Sequence, residues 1–258
     1  MKPRVAIVKF ASCDGCQLQF LNAEDELLAL AAAVDLAYFP EARSRELRGP
    51  YDITFVEGSI TTPDDARRII KLREDSRTLI TIGACATAGG IQALRNWSDT
   101  EEYKRIVYPS PEFISALSTS TPISEHVRVD FEIWGCPIDQ RQLLAVVRSL
   151  LSGAKPALPT HSLCMECKRS GAACVAVAHG QPCLGPVTRA GCGAICPGMH
   201  RGCYGCFGPA DDPNMPSFVG LLRHQGLERE QLLRRLRSIN GYVRPLRDAS
   251  DAIEQGQD

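Results

Sequence analysis

Near its start the chain reads Val5-Ala-Ile-Val-Lys-Phe-Ala-Ser-Cys-Asp-Gly-Cys16, an apolar run followed at once by two cysteines. The next residues, 17–33, are rich in Leu and Ala, the strongest apolar helix formers. A buried strand that turns directly into a helix is typical of α/β proteins. The stretch predicts the first strand–helix unit of a parallel sheet, with two cysteines at the turn.

The same alternation continues to about residue 152. Further apolar, β-branched runs occur at Val34–Phe39, Ile53–Val56, Leu79–Ile82 and Val129–Trp134. Helical patterns separate them, and one of these, over residues 62–75, has Thr62 as N-cap and Pro63 at the first helical position. Residues 138–151 form another amphipathic segment. Strands that alternate with helices predict a mainly parallel, doubly wound sheet.

Four cysteines follow ends of the predicted strands. Cys13 and Cys16 come after the first, Cys85 after the fourth and Cys136 after the fifth. A doubly wound sheet binds ligands outside the carboxyl ends of its strands, so one site could gather all four. The alternative for Cys13-x-x-Cys16 is a thioredoxin-like dithiol, which does not account for Cys85 and Cys136. Gly15 lets the backbone bend close to such a site.

Beyond Pro156 the sequence changes character. Residues 156–213 are dense in Cys, Gly and Pro, with no convincing strand or helix. Eight further cysteines lie here: Cys164, Cys167, Cys174, Cys183, Cys192, Cys196, Cys203 and Cys206. They divide naturally into two sets of four, and we expect metal to order the segment. Four-cysteine zinc sites are the alternative to iron–sulfur clusters. We predict two domains, residues 1–155 and 156–258.

Composition excludes several classes of protein. The 258 residues carry a formal net charge of −1 without a long Lys/Arg run, so a nucleic-acid binder is not expected. Neither a signal-peptide pattern nor a membrane-length apolar stretch is seen, and we expect a cytoplasmic location. Twelve cysteines in that reducing compartment are not expected to form disulfides. Residues 216–240 return to helical patterning, and the polar, acidic residues 248–258 are predicted to be mobile.

The motifs around the cysteines resemble those of one known family. They are Cys13-Asp-Gly-Cys16, Val56-Glu-Gly58, Gly83-Ala-Cys85, Gly135-Cys-Pro137, Gly185-Pro-Val-Thr-Arg-Ala-Gly-Cys-Gly-Ala-Ile-Cys-Pro197 and Arg201-Gly-Cys-Tyr-Gly-Cys-Phe-Gly-Pro209. In collinear order, over about residues 3–210, they are similar to the small subunit of [NiFe]-hydrogenases. The resemblance implies a flavodoxin-like first domain that holds a proximal [4Fe–4S] cluster on Cys13, Cys16, Cys85 and Cys136.

The resemblance also implies two further clusters in the second domain. The medial cluster would use Cys192, Cys196, Cys203 and Cys206, and the distal cluster Cys164, Cys167, Cys174 and Cys183. Membrane-bound and periplasmic members begin the distal site with a histidine and have a proline at the medial site, where this chain has Cys164 and Cys196. These departures favour three [4Fe–4S] clusters and the cytoplasmic, multi-subunit branch of sulfhydrogenase delta-like or methyl-viologen-reducing-type subunits. Spacing alone leaves an interleaved grouping of the eight cysteines open.

The function implied by the resemblance is electron relay. The Ni–Fe site would lie in a partner large subunit, a flavin- or iron–sulfur-containing subunit would exchange electrons at the other end, and this chain alone would not be catalytic. Two alternatives are a complex-I-like quinone oxidoreductase subunit, which carries one cluster, and a zinc-stabilised scaffold. Glu57, at a strand end, is expected to bind loop amides, with a role in proton movement or at the subunit interface as the alternative.

Overall fold

A computed structural model describes residues 2–257 of the chain. The chain divides into two compact units, the first ending at Pro156 and the second beginning at Ala157. Over the described residues, no helix combines the length and the apolar character that crossing a membrane requires.

A sheet of five parallel strands forms the centre of the first unit. The strands are β1 (Arg4–Lys9), β2 (Asp35–Tyr38), β3 (Tyr51–Glu57), β4 (Ser76–Ile82) and β5 (Phe131–Ile133). Their spatial order is β2-β1-β3-β4-β5, which is the order of the doubly wound, flavodoxin-like fold. The predicted fold class is therefore confirmed. Lys9, Glu57 and Ile82 lie side by side where β1, β3 and β4 end.

Helices of the first unit connect these strands. They are α1 (Gly15–Leu21), α2 (Asp25–Ala33), α3 (Pro63–Glu74), α4 (Gly83–Ala88), α5 (Thr100–Val107) and α6 (Gln140–Leu151). The start of α3 is as predicted. The Thr62 side chain accepts the Asp65 N–H at 3.1 Å, and the Asp65 carboxylate accepts the Thr62 N–H at 3.1 Å. This reciprocal pair satisfies backbone donors that the helix itself leaves open.

The predicted single helix over residues 17–33 is wrong in one respect, because the structure breaks it into α1 and α2. Phe20 on α1 is buried against the rings of Phe39 and Phe55, with centroids 6.1 and 5.1 Å away. By contrast, α2 buries no side chain. The Leu- and Ala-rich composition is compatible with helix throughout, but only the first part has a core to pack on, and the chain turns away between Asn22 and Glu24.

The second unit is helical. Its helices are α7 (Cys164–Arg169), α8 (Val175–Ala178), α9 (Ile195–Gly198), α10 (Met215–His224), α11 (Arg229–Leu236) and α12 (Arg244–Gln255). The first three lie in the Cys-rich segment, for which no helix was predicted, and they are too short to show an apolar period. The segment also shares an apolar core with the longer helices: Leu163, Val175, Leu184 and Val187 are buried with Phe218, Leu222, Leu232 and Ile253.

The mobile tail predicted over residues 248–258 is also wrong for the residues described. Helix α12 runs through this stretch and buries Leu246, Ser250 and Ile253, while Asp258 lies outside the described residues. The Arg237 guanidinium holds the acidic face of the helix through Asp251 at 2.9 Å and Glu254 at 2.5 Å. The acidic character that suggested mobility is what binds the helix to Arg237.

Candidate metal centres

The four cysteines of the first unit follow the carboxyl ends of three parallel strands, as predicted. Cys13 and Cys16 follow β1, Cys85 lies in α4 directly after β4, and Cys136 follows β5. Burial is the main cause that raises the pKa of Cys85 to about 11, and the thiols of Cys136 and Cys13 add to it. Burial raises the pKa of Cys16 too, with contributions from Cys85 and Cys136. The four thiols are therefore near enough to interact electrostatically.

Two glycines allow the backbone to pass very close to these thiols. A Cβ atom on Gly83 would lie 2.2 Å from the Cys16 Sγ, and one on Gly90 would lie 2.7 Å from the Cys85 Sγ. Both glycines also have positive φ, +82° and +65°, a region that other residues adopt only with strain. Gly15 is less critical, because its Cβ would meet the Cys13 Sγ at an ordinary 3.4 Å.

Glu57 anchors the first cysteine turn. Its side chain is 1% exposed, and its carboxylate accepts the backbone N–H groups of Cys16 at 3.1 Å and Gln17 at 3.2 Å. Burial raises the pKa of Glu57, and these hydrogen bonds oppose the rise. The expectation that this carboxylate binds loop amides matches these contacts. Glu57 therefore fixes the backbone at Cys16 and places a carboxyl group beside this candidate ligand.

Gln92 is a neighbour of the site that was not predicted from the sequence. Its side-chain Nε2 donates to the Ala11 carbonyl oxygen at 2.8 Å and lies 3.6 Å from the Cys85 Sγ. It links the turn after β1 to the cysteine after β4. Its position two residues after Gly90 places it beside the site, but nothing in its local sequence pattern indicates this contact.

Four cysteines of the second unit are near enough to affect one another electrostatically. Burial raises the pKa of Cys167 to about 11, and Cys164, Cys183 and Cys174 all contribute. A Cβ atom on Gly185 would lie 3.3 Å from the Cys183 Sγ and 3.8 Å from the Cys164 Sγ, so both sulfurs face the same point of the backbone.

The remaining four cysteines are found as two neighbouring pairs. Burial raises the pKa of Cys192, and Cys196 contributes. It also raises the pKa of Cys203 to about 12, with contributions from Cys183 and Cys206. The Cys203 N–H donates to the Cys183 Sγ at 3.2 Å, so a member of this set contacts the other set. The division of the eight cysteines into two clusters stays a prediction.

The chemistry of these side chains fits iron–sulfur clusters. Buried thiols with raised pKa values become thiolates readily only when a metal supplies positive charge. Four thiolates around one zinc ion would lie about 3.8 Å apart, given a Zn–S bond of about 2.3 Å. Between residues 2 and 257, no three His, Cys, Asp or Glu side chains converge in a way that could hold one ion. Each iron of a four-iron cluster takes one thiolate, so the three predicted sets of four cysteines supply enough ligands for three such clusters.

Comparisons with known proteins agree with the fold. Residues 13–150 match the family described as NADH ubiquinone oxidoreductase, 20 kDa subunit. Sulfhydrogenase 2 subunit delta of Pyrococcus furiosus is 34% identical over 236 residues, which cover 92% of this chain and 98% of the relative. A vhu subunit of the F420-non-reducing hydrogenase of Methanocaldococcus jannaschii is 32% identical over 81% of this chain and 82% of its own.

A solved structure extends the comparison. A chain of an NAD+-reducing [NiFe]-hydrogenase in the H2-reduced state superposes with a TM-score of 0.58 at 30% identity. The match covers 96% of that chain but only 62% of this one, so more than a third of this chain has no counterpart there. The chain therefore belongs to the NADH ubiquinone oxidoreductase 20 kDa subunit family and, within it, to the iron–sulfur subunits related to the small subunit of [NiFe]-hydrogenases.

Proposed function

We propose that this chain is the electron-transfer subunit of a multi-subunit [NiFe]-hydrogenase and holds three [4Fe–4S] clusters. It would relay electrons between the Ni–Fe site of a partner large subunit and a flavin- or iron–sulfur-containing acceptor subunit. The observation that supports the proposal is the position of four cysteines at the carboxyl ends of strands in a flavodoxin-like sheet, in a chain related to hydrogenase subunits. Its cysteine richness without disulfide chemistry suits the cytoplasm.

The proposed ligand sets follow the three groups of cysteines. The proximal set is Cys13, Cys16, Cys85 and Cys136; the medial set is Cys192, Cys196, Cys203 and Cys206; and the distal set is Cys164, Cys167, Cys174 and Cys183. When bound, iron–sulfur clusters supply reversible one-electron chemistry. Because all twelve cysteines are assigned in this way, none is left to hold nickel with open coordination positions, and hydrogen chemistry is assigned to the partner.

The chain itself shapes the environment of these sites. Gly83 and Gly90 bring the backbone against the thiols, and Glu57 fixes the turn of Cys16 through two amides. In the second unit, Cys183 and Cys203 are 8% and 4% exposed and belong to the apolar core. Burial of this kind keeps water from the sulfurs and is one of the means by which proteins set a reduction potential.

The family match also makes a quinone oxidoreductase subunit a candidate. That match covers residues 13–150, which include the proximal set but not the eight cysteines from Cys164 to Cys206. A subunit with one cluster does not require those cysteines. The hydrogenase proposal accounts for them, and it is supported by the sulfhydrogenase relative, which aligns with 92% of this chain.

The test is a metal analysis of the complex, purified anaerobically with its native partners. We expect about twelve iron and twelve acid-labile sulfide per chain, the sum for three four-iron clusters, together with nickel from a copurifying large subunit. About four iron with two zinc would contradict the relay and favour a zinc-stabilised second unit. Iron without copurifying nickel would count against the hydrogenase partner and would favour the quinone oxidoreductase subunit.

A further inference from the structure

Glu166 lies between two candidate ligands of one set, yet its carboxylate reaches the loop of another. It is in α7, between Cys164 and Cys167. Its Oε1 accepts the backbone N–H of Gly191 at 2.9 Å, and its Oε2 accepts that of Ala194 at 3.2 Å. These two residues flank Cys192. Each carboxylate oxygen therefore holds one side of a candidate medial ligand from a helix that carries two candidate distal ligands.

The loop that Glu166 holds has an unusual backbone. Gly191 and Gly193 have φ of +136° and +71°, and Ala194 has φ of +53°. Left-handed backbone is unfavourable for alanine because of its Cβ, so contacts must hold it in place. Burying an amide without a hydrogen-bond partner is also unfavourable. Glu166 satisfies two amides of this loop at once and thereby fixes the direction in which Cys192 leaves the backbone.

The other end of the connection is also fixed. The N–H of Leu163, which precedes α7, donates to the Thr188 carbonyl oxygen at 2.8 Å. Ser162 and Arg189 form an isolated antiparallel bridge. The helix that carries Glu166 therefore does not move independently of the strand-like segment before Gly191. Together with the hydrogen bonds of Glu166, these contacts close the chain between α7 and Cys192 into a loop. Cys164 and Cys167, at one end of this loop, belong to one proposed cluster, and Cys192, at the other end, belongs to another.

The carboxylate also acts through its charge. Its two oxygens lie 2.9 Å from the Gly191 nitrogen and 3.2 Å from the Ala194 nitrogen, which places the carboxylate beside Cys192. A negative charge near a metal cluster disfavours the reduced form, which is one unit more negative than the oxidised form. The charge of Glu166 is therefore expected to lower the reduction potential of a cluster bound by Cys192.

We propose that Glu166 is a positioning residue that ties the distal and medial ligand loops together and lowers the reduction potential of the medial cluster. The proposal rests on the proposed function, since it requires clusters at both loops. It assigns one side chain two separable effects. The hydrogen bonds keep the medial ligands in place, and the charge sets how readily the site is reduced.

Substitutions in the intact, anaerobically purified complex separate these effects. E166Q keeps the shape and one acceptor oxygen but removes the charge, and E166A removes both acceptors. E230Q removes a carboxylate on the exposed surface of α11 and serves as the matched control. Iron per chain is measured first, and an EPR-monitored redox titration follows. C192S, which alters a ligand, identifies the medial signal.

For E166Q we expect full iron and a medial cluster that is about tenfold easier to reduce, a shift of about +59 mV for one electron. The proximal and distal potentials and those of E230Q should stay at the wild-type values. For E166A we expect the loss of the medial signal. If E166Q also loses it, E166D decides: retention of medial iron by Asp but not by Ala supports the proposal, and equal loss overturns it.

The two proposals fail in different ways. Wild-type protein with fewer than three clusters overturns both, before any variant is compared. Wild-type protein with about twelve iron and an E166Q medial potential equal to that of wild type overturns only the role of the charge in Glu166. A shift of the same size in E230Q would also overturn it, because it would show a general effect of surface charge.

Discussion

At Gly83 the backbone comes closer to a candidate ligand than a side chain would permit. We predict that Gly83→Ala lowers the iron content by about four per chain, the content of one four-iron cluster. The added Cβ would lie 2.2 Å from the Cys16 Sγ, on a backbone with φ of +82°, so the thiol must move. Iron analysis with EPR of the proximal signal measures the effect.

Gly15→Ala is the matched control, because its Cβ would lie 3.4 Å from the Cys13 Sγ. It adds the same methyl group beside the same predicted cluster and should keep wild-type iron. Full iron in Gly83→Ala would show that the Cys16 thiol is not held where a ligand must be, and would overturn the proposed proximal site.

Sequence could predict the candidate ligands but not their partners. Cysteines at strand ends and in short-range pairs can be recognised as candidate ligands from their spacing, because the carboxyl ends of parallel strands meet at one edge of the sheet. Glu57 is a candidate from sequence because it ends a strand. Gln92 and Glu166 act on groups 81 and 25 residues away in sequence, and hydrogen bonds of that separation leave no local pattern.

Among the elements, β5 is the shortest strand of the sheet, with three residues, and depends on Asp130 just before it. The Asp130 carboxylate accepts the Leu79 N–H of β4 at 2.9 Å and binds Arg73 of α3 at 2.6 Å. Burial acts against ionisation, but these two hydrogen bonds and the charge of Arg73 prevail and lower the pKa of Asp130. One side chain thus joins α3, β4 and the edge strand that leads to Cys136.

We predict that Asp130→Asn destabilises the first unit by about 1 kcal/mol at neutral pH. Because the pKa of Asp130 is lower in the folded state, its contribution is complete above the unfolded pKa of about 3.9 and is lost as the pH falls through the folded value. The difference from wild type should therefore close in acid. Both tryptophans of the chain, Trp97 and Trp134, lie in the first unit, so urea unfolding followed by tryptophan fluorescence measures it.

Asp64→Asn is the control for this prediction. Asp64 pairs with Arg67 on the exposed surface of α3, and its loss should cost less than about 0.5 kcal/mol. A difference between Asp130→Asn and wild type that persists unchanged to about pH 2, below the ordinary range for an aspartate, would show that the side chain acts through shape rather than through charge.

The sequence patterns located all five strands but missed several features of the helices. Apolar, β-branched runs marked all five strands, and the pattern is clearest in the central strands β1, β3 and β4, whose residues are mostly buried because both faces of a parallel sheet are covered. Helix α12 was missed because its buried positions, Leu246, Ser250 and Ile253, include a serine and are surrounded by acidic residues. The break between α1 and α2 was missed because helix propensity depends on residue type and not on where the chain leaves the core.

Across the whole molecule, the two units differ in what stabilises them. The first has a hydrogen-bonded sheet with apolar residues such as Ile80 and Ile82 fully buried. In the second, the Cys-rich segment has helices of six, four and four residues, α7, α8 and α9, which are too short to be stable alone. The predicted need for metal therefore applies to this segment rather than to the complete unit.

We predict that removing iron with a chelator affects the units unequally. Amides between Cys164 and Cys206 should exchange with deuterium much faster, whereas β1, β3 and β4 keep their protection, because metal binding is coupled to folding where a core is small. Hydrogen exchange read by mass spectrometry compares the treated and untreated complex. Equal loss of protection in the sheet and in the Cys-rich segment would contradict this division.

The contact between the Cys203 N–H and the Cys183 Sγ has a consequence for maturation. Each residue belongs to a different proposed set, so fixing the sulfur of one orders the backbone of the other. We therefore expect the two sites of the second unit to be filled cooperatively, with empty and full forms outnumbering the half-filled one during assembly. Native mass spectrometry of chains caught during reconstitution would count these forms, and a predominant half-filled species would show that the sites mature independently.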